Sequence, residues 1–274
     1  MLQKIRFMFI TLPLLTFATQ ELQAWSIKGS AHNAYNNVTS LFERSKKDIL
    51  SAEYTVQKNS IISLTNNDGS IEIKTWKKDA MMIEAKKIGK EKELPNTTFS
   101  VDTEGRDVTI TTESLTQSAP LTINYTLIVP EDSSLIIKND SGTIQIKDVQ
   151  GDIDAQTLVG DIIVENGTND VHARAPKGSI TVEQNKLDHR SSIFLEAYRS
   201  VTLKISPKIN ANLNAKTLKG KITSDFYITL DPITTKLNNG SWKRIKQEIK
   251  GTIGSGGAPI TIDVTKGNVI LLEQ

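Results

Sequence analysis

Asp152, Asp154, Asp170 and His172 come nearest to a constellation that could do chemistry. Asp152 and Asp170 are eighteen residues apart, and so are Asp154 and His172. If the chain completes one circuit every eighteen residues, each pair falls on adjacent strands, ~4.8 Å apart and on one outward face. Three carboxylates and an imidazole so arranged could hold a divalent cation or divide the acid and base roles of a hydrolase. Outward Asp and His on a sheet are ordinarily solvated, however, and that reading is adopted. The histidines are His32, His172 and His189, with no metal-ligand spacing between them, and Asp188-His189-Arg190 reads as a turn. No metal or cofactor is expected, and no catalytic residue is assigned.

A second candidate is the polar stretch Asp231 to Lys250, an expected excursion from the main body that carries Trp242, Lys243 and Arg244. Loops on a rigid scaffold often carry specificity, so these three are the expected binding loop. Aromatic residues make up only 5% of the chain, which argues against a broad sugar-stacking surface. Other motifs fail on their spacing. The calcium-binding nonapeptide needs a double glycine and an aspartate at its sixth position. Here the sixth positions are Lys147, Gln156, Glu165, Arg174 and Glu183. Gly254 to Gly257 is followed by no helix signal and no Lys-Ser/Thr pair, so it is no phosphate loop. Gly254-Ser255-Gly256 lacks the spacing of a nucleophile elbow.

The elements that must position these residues are written in the repeat. Between Gly142 and Lys186 the chain reads GTIQIKDVQ, GDIDAQTLV, GDIIVENGT, NDVHARAPK and GSITVEQNK. Each unit opens with Gly, once with Asn169, and carries apolar residues at its third and fifth positions. Glycine, with asparagine as its substitute, suits a bend at positive φ. The five residues that follow alternate polar and apolar, as a strand with one buried face requires. The fifth position alternates in size, through Ile146, Ala155, Val164, Ala173 and Val182. Two units therefore make one rung, with a strand on each side and like stacked on like. A period this short predicts an all-β, β-solenoid-like stack of short strands.

Residues 1–24 read as a secretory signal peptide. Lys4 and Arg6 precede an apolar stretch from Phe7 to Ala18, with cleavage expected after Ala24. An uncleaved anchor is the alternative. Cysteine is absent, so no disulfide and no lipid-modified cysteine is expected. Removing Lys4, Arg6 and Glu21 leaves 31 basic against 30 acidic residues. That balance gives no support to a nucleic-acid partner, which calls for a basic stripe. No membrane span is expected after cleavage.

Residues 25–52 are expected to cap the stack, with a helix from Ala34 to Leu50. Strand signals run from Glu53 onward, and the charged stretch Lys86 to Thr97 is expected as an exposed loop. After Lys186 the nine-residue rhythm breaks. It returns where Ala215-Lys216-Thr217-Leu218-Lys219-Gly220-Lys221-Ile222 echoes Ala155 to Ile162. The domain is drawn at 53–274.

Several runs together resemble a known family. They are Gly69 to Trp76, Tyr125 to Pro130, Ser141-Gly142-x-Ile, the A-x-T-L-x-G-x-I pair and the closing G-x-I-G-x-G…G-x-V. In order and number they resemble the bacterial putative-adhesin β-strand-repeat family. The resemblance implies a right-handed β-helix-like fold and exposure outside the cytoplasm, and it brings no catalytic residues. The function expected is a non-enzymatic envelope or surface binding module, periplasmic or secreted, with an envelope, glycan or protein partner. The alternatives are a carbohydrate-active β-helix enzyme using the Asp152, Asp154, Asp170 and His172 face, or a periplasmic stress or assembly factor.

Overall fold

The computed structural model describes residues 46–91, 93–114, 121–231 and 247–274. The signal segment 1–24, most of the expected helix and the loop residues Trp242, Lys243 and Arg244 lie outside the described residues. The strands, in chain order, begin with β1 (Lys46–Thr55), β2 (Ile61–Asp68), β3 (Ile71–Trp76), β4 (Ala80–Gly89) and β5 (Thr97–Glu104). Next come β6 (Asp107–Ser114), β7 (Thr122–Pro130), β8 (Ser134–Ser141), β9 (Ile144–Lys147), β10 (Ile153–Val159) and β11 (Ile162–Gly167). They continue with β12 (Val171–Ala175), β13 (Ile180–Gln184), β14 (Ile193–Ala197), β15 (Val201–Ile205) and β16 (Ala211–Thr217). The last are β17 (Ile222–Ser224), β18 (Ile228–Leu230), β19 (Gln247–Ile253), β20 (Ala258–Val264) and β21 (Val269–Glu273).

These strands form two large mixed sheets, neither closed into a barrel. Sheet one has the order β1-β4-β7-β3-β9-β11-β13-β15-β21-β17. Sheet two has the order β18-β19-β16-β20-β14-β12-β10-β8-β2-β6-β5. From β8 to β17 the chain alternates between the sheets, and alternate residues of each strand are buried in one apolar core. The eighteen-residue register holds where the repeat is strict. Ile153 faces Val171, Ala155 faces Ala173, and Val164 lies between Ile146 and Val182. Like stacks on like only locally, because Ala155 also faces Ile137 and Ala173 also faces Leu195.

Beyond β13 the spacing lengthens, so that Val171 pairs with Ile193 and Ile180 with Val201. The order of the strands also departs from chain order near both ends. Strands β20 and β21 slot between the pairs β14/β15 and β16/β17, with parallel partners on both sides. Strands β2 and β3 likewise slot between β6/β7 and β8/β9.

Close stacking explains the glycines more fully than turn conformation does. Gly142 has φ +125°, and a Cβ there would meet the Gly69 carbonyl oxygen at 2.0 Å. At Gly178, which lies outside the left-handed region, a Cβ would still meet the Gly160 oxygen at 1.6 Å. Successive turn backbones thus pack with no room for a side chain. Polar residues pointing inward beside this column bind its carbonyls. Asn139 donates to Gly69 O (2.8 Å), Thr157 to Gly142 O (3.0 Å) and Thr217 to Gly267 O (2.8 Å). The T-x-x-G part of the repeated motif is therefore a turn-to-turn clamp, and a buried hydroxyl at that position needs such a partner.

Two local expectations are corrected. Residues 46–50, expected as the end of a helix, are extended and pair with β4. Leu50, Ala52 and Tyr54 alternate toward the interior, and that two-residue period outweighs the loose helical face. The stretch Lys86 to Thr97 is not simply an exposed loop. Its first residues belong to β4, Leu94 is buried, and the Lys87 side chain is only 4% exposed. The Lys87 ammonium donates to Leu94 O (2.9 Å) and Thr97 O (3.0 Å) and pairs with Asp48 at 2.8 Å. A buried ammonium needs such partners, and here they tie β1 to the turn after β4. The far end of the Asp231 to Lys250 excursion is also strand, since β19 pairs antiparallel with both β16 and β18.

Candidate functional site

Strands β10, β12 and β14 present Asp154, His172 and Phe194 in one row on the outer face of sheet two. The alternation that buries Ile153, Val171 and Ile193 forces the next residue outward, so the row follows from the core. Asp154 and His172 are direct partners across parallel strands, as their spacing predicts. The His172 ring meets Phe194 edge-on at 6.2 Å and 73°, and its Nε2 lies 3.2 Å from Ser192 Oγ. In the neighbouring row, the Arg174 guanidinium sits 5.2 Å over the Phe194 ring and 3.7 Å from Glu196. That row continues from Glu196 to Asp263 and Lys216. The hydrogen bond that the Lys216 ammonium donates to Asp263 at 2.5 Å raises its pKa above the ordinary lysine value, in a side chain that remains partly exposed.

Asp152 and Asp170 serve a different purpose from Asp154. The Asp170 carboxylate accepts the backbone N–H of Ser192 at 2.8 Å, and the Asp152 carboxylate accepts from the Asn169 side chain. Asp161 does the same for the backbone N–H of Ser179 at 2.8 Å. These are short-range clamps between successive turns, of the kind Asp supplies through its two acceptor oxygens. Among the described residues no group of three His, Cys, Asp or Glu side chains is placed to hold a metal ion. His172 and Ser192 form a hydroxyl–imidazole pair, yet Asp170 engages the Ser192 backbone rather than the ring. The third partner that orients a nucleophile's base is therefore missing from Asp170. What the face offers is an aromatic ring flanked by an imidazole and a guanidinium, a combination suited to binding.

A second feature lies at a corner of the molecule. A concavity of about 330 Å³ is lined by Gln184, Asn185, Lys186, Leu187, Asp188, Ser206, Lys208 and Ile209. It forms where the chain after β13 and the chain after β15 both leave the regular stack. The Asp188 carboxylate is engaged with His189 at 2.5 Å, which keeps the Asp188-His189-Arg190 cluster a local turn.

Sequence reasoning brought Asp154 and His172 together and missed Phe194, Arg174, Glu196 and the corner. The signal for Phe194 was present in the pattern Ile193-Phe194-Leu195, but the longer connection at 185–192 concealed which residue it would face. Trp76, at the end of β3, is half-buried and donates its indole N–H to Ala80 O at 2.6 Å. Lys78 lies 4.5 Å over its ring.

No family model and no curated protein matches this chain. Solved structures do resemble it. A putative cell adhesion protein from Clostridium sporogenes is 13% identical over 84% of this chain and all of its own, with a TM-score of 0.47. A putative adhesin from Bacteroides fragilis is 10% identical over 82% of this chain and 97% of its own, with a TM-score of 0.33. A putative lipid binding protein from Parabacteroides distasonis is 10% identical over 83% of this chain and 97% of its own, with a TM-score of 0.23. Putative adhesins and a putative cell adhesion protein recur among these structural neighbours.

Proposed function

We propose that this protein is an exported, adhesin-like β-solenoid that binds a partner at the cell envelope or surface and performs no chemistry on it. The observation that carries this reading is the outer face of sheet two, where Phe194 on β14 is framed by His172 and Arg174 on the adjacent strand β12. Strand pairing on both sides holds each of these residues at a set spacing, so the face is preorganised and loses little freedom on binding. The solenoid description rests on the eighteen-residue register. A chain that returns to the same sheet as a parallel strand does so with right-handed crossovers in nearly all proteins, which supports the right-handed form. Export rests on the charge and hydropathy layout of residues 1–24.

The test has two arms. Protease is applied to intact cells with a periplasmic marker as control, and purified protein is screened against glycans and matrix proteins alongside Phe194→Ala and Arg174→Ala. Digestion while the marker survives, with binding lost in both variants, is the expected outcome. Protection until the envelope is opened would overturn surface adhesion and favour a periplasmic assembly role. The competing reading, a carbohydrate-active enzyme, draws on the adjacency of Asp154 and His172. Glycan cleavage by the wild type that Asp154→Asn abolishes would establish it.

A further inference from the structure

We propose that the corner between the β13–β14 and β15–β16 connections is a binding site for one residue of an anionic saccharide. The proposal rests on the binding-module reading and gives it a ligand class. The connection from β13 to β14 is longer than the repeat allows, and Val171 meets Ile193 at twenty-two residues rather than eighteen. The extra chain stands beside the Ser206 to Ile209 turn, which is closed by a hydrogen bond from Ile209 N to Ser206 O at 3.2 Å. Between them lies the concavity of about 330 Å³. Small-molecule sites begin near 300 Å³, so this one suits a ligand of single-sugar size.

Its lining specifies the chemistry. Lys186 and Lys208 are exposed at the rim, and among the described residues neither forms an ion pair. Asp188, the carboxylate of the lining, is occupied by His189. With two lysines against one carboxylate the lining carries an excess of positive charge, although the whole chain carries a formal net charge of only +2. Leu187 and the largely buried Ile209 supply an apolar surface for the C–H face of a pyranose. Asn185 and Ser206 supply amide and hydroxyl groups for its hydroxyls. Gln184 donates to Asn169 O at 2.7 Å while its buried Oε1 has no donor. The combination of ammonium, amide, hydroxyl and apolar surface matches a carboxylated or sulfated sugar better than a bare anion.

The test is calorimetric titration of the full mature protein with oligogalacturonate, with a sulfated oligosaccharide, with an uncharged oligosaccharide of equal length, and with sodium sulfate. The variants are Lys186→Ala/Lys208→Ala and, as a control, Lys58→Ala/Lys177→Ala, two exposed lysines outside the site. Expected is saturable binding of at least one charged oligosaccharide, weakened about tenfold or more in the first variant and unchanged in the second. The two charged probes separate carboxylate from sulfate recognition. No binding of either, equal binding by both double variants, or equal binding of sodium sulfate overturns the proposal. If a partner is lost in Phe194→Ala but retained in Lys186→Ala/Lys208→Ala, the corner site falls and the binding-module reading stands. Cleavage of the saccharide would instead overturn the non-enzymatic reading.

Discussion

The last strands of the chain, β20 and β21, should be among its most stable parts, and Ile262→Ala tests this directly. Chain ends ordinarily fray unless tied down. Here β20 is flanked by β14 and β16, and Ile262, 1% exposed, lies between Leu195 and Ala215. Truncating a fully buried isoleucine to alanine costs about 2–5 kcal/mol, the larger values applying where neighbours cannot close the cavity. Strands held on both sides leave little room to close it, so the upper half of that range is expected. Domains are stable by about 5–15 kcal/mol in total, so the loss is a large fraction. Ile49→Ala, at a side chain 56% exposed on the edge strand β1, should cost less than about 0.5 kcal/mol. Urea denaturation of both variants reads the difference, and amide hydrogen exchange reads it by segment. Protection should be greater in β20 and β21 than in the short edge strands β17 and β18. Equal midpoints for the two variants, or exchange in β20 as fast as in β18, would refute the central placement of the C-terminal strands.

Other substitutions probe the stacking of the turns and the tie on β1. Gly142→Ala should destabilise by more than about 2 kcal/mol, since it combines a left-handed backbone with a Cβ driven onto the Gly69 carbonyl at 2.0 Å. Gly105→Ala, with open space around it, should cost only about 1 kcal/mol, and thermal melts would separate the two. Thr217→Val removes the bond to Gly267 O and the acceptor for the Gly220 N–H, so a loss of about 1–3 kcal/mol is expected in chemical denaturation. The hydrogen bond from Lys87 holds the Asp48 carboxyl below its ordinary value of 3.8. A depressed acid stabilises the fold above its unfolded pKa and loses that contribution as pH falls through the folded value. Stability measured from pH 6 down through the region below 3.8 should therefore fall less steeply in Asp48→Asn than in the wild type, and identical slopes would count against the tie.

The repeat made one part of the molecule legible and left another hidden. Between Gly142 and Lys186 the partners of a residue lie eighteen positions away, so the interval that sets local structure also sets tertiary pairing. Asp154 could be matched to His172 on that basis alone. The glycines were legible as turns, but the reason for Gly178 was not, because it is the approach of the Gly160 carbonyl rather than its own φ. The corner concavity was visible only as a lapse in the rhythm after Lys186. Residues 46–50 carried both a loose helical face and an alternating one, and only the presence of β4 decided between them.

By itself, the sequence determined that the chain alternates, where it turns, and which side of each strand is buried, because these depend on side-chain period and on glycine. Tertiary structure alone decided which strands lie beside one another. An apolar alternating strand offers much the same backbone ladder to any neighbour, and connection lengths that vary carry no register of their own. The placement of Ile260 and Ile262 beside Ile193 and Leu195, across more than sixty residues of chain, came from complementary burial on both faces of the gap that β20 and β21 fill.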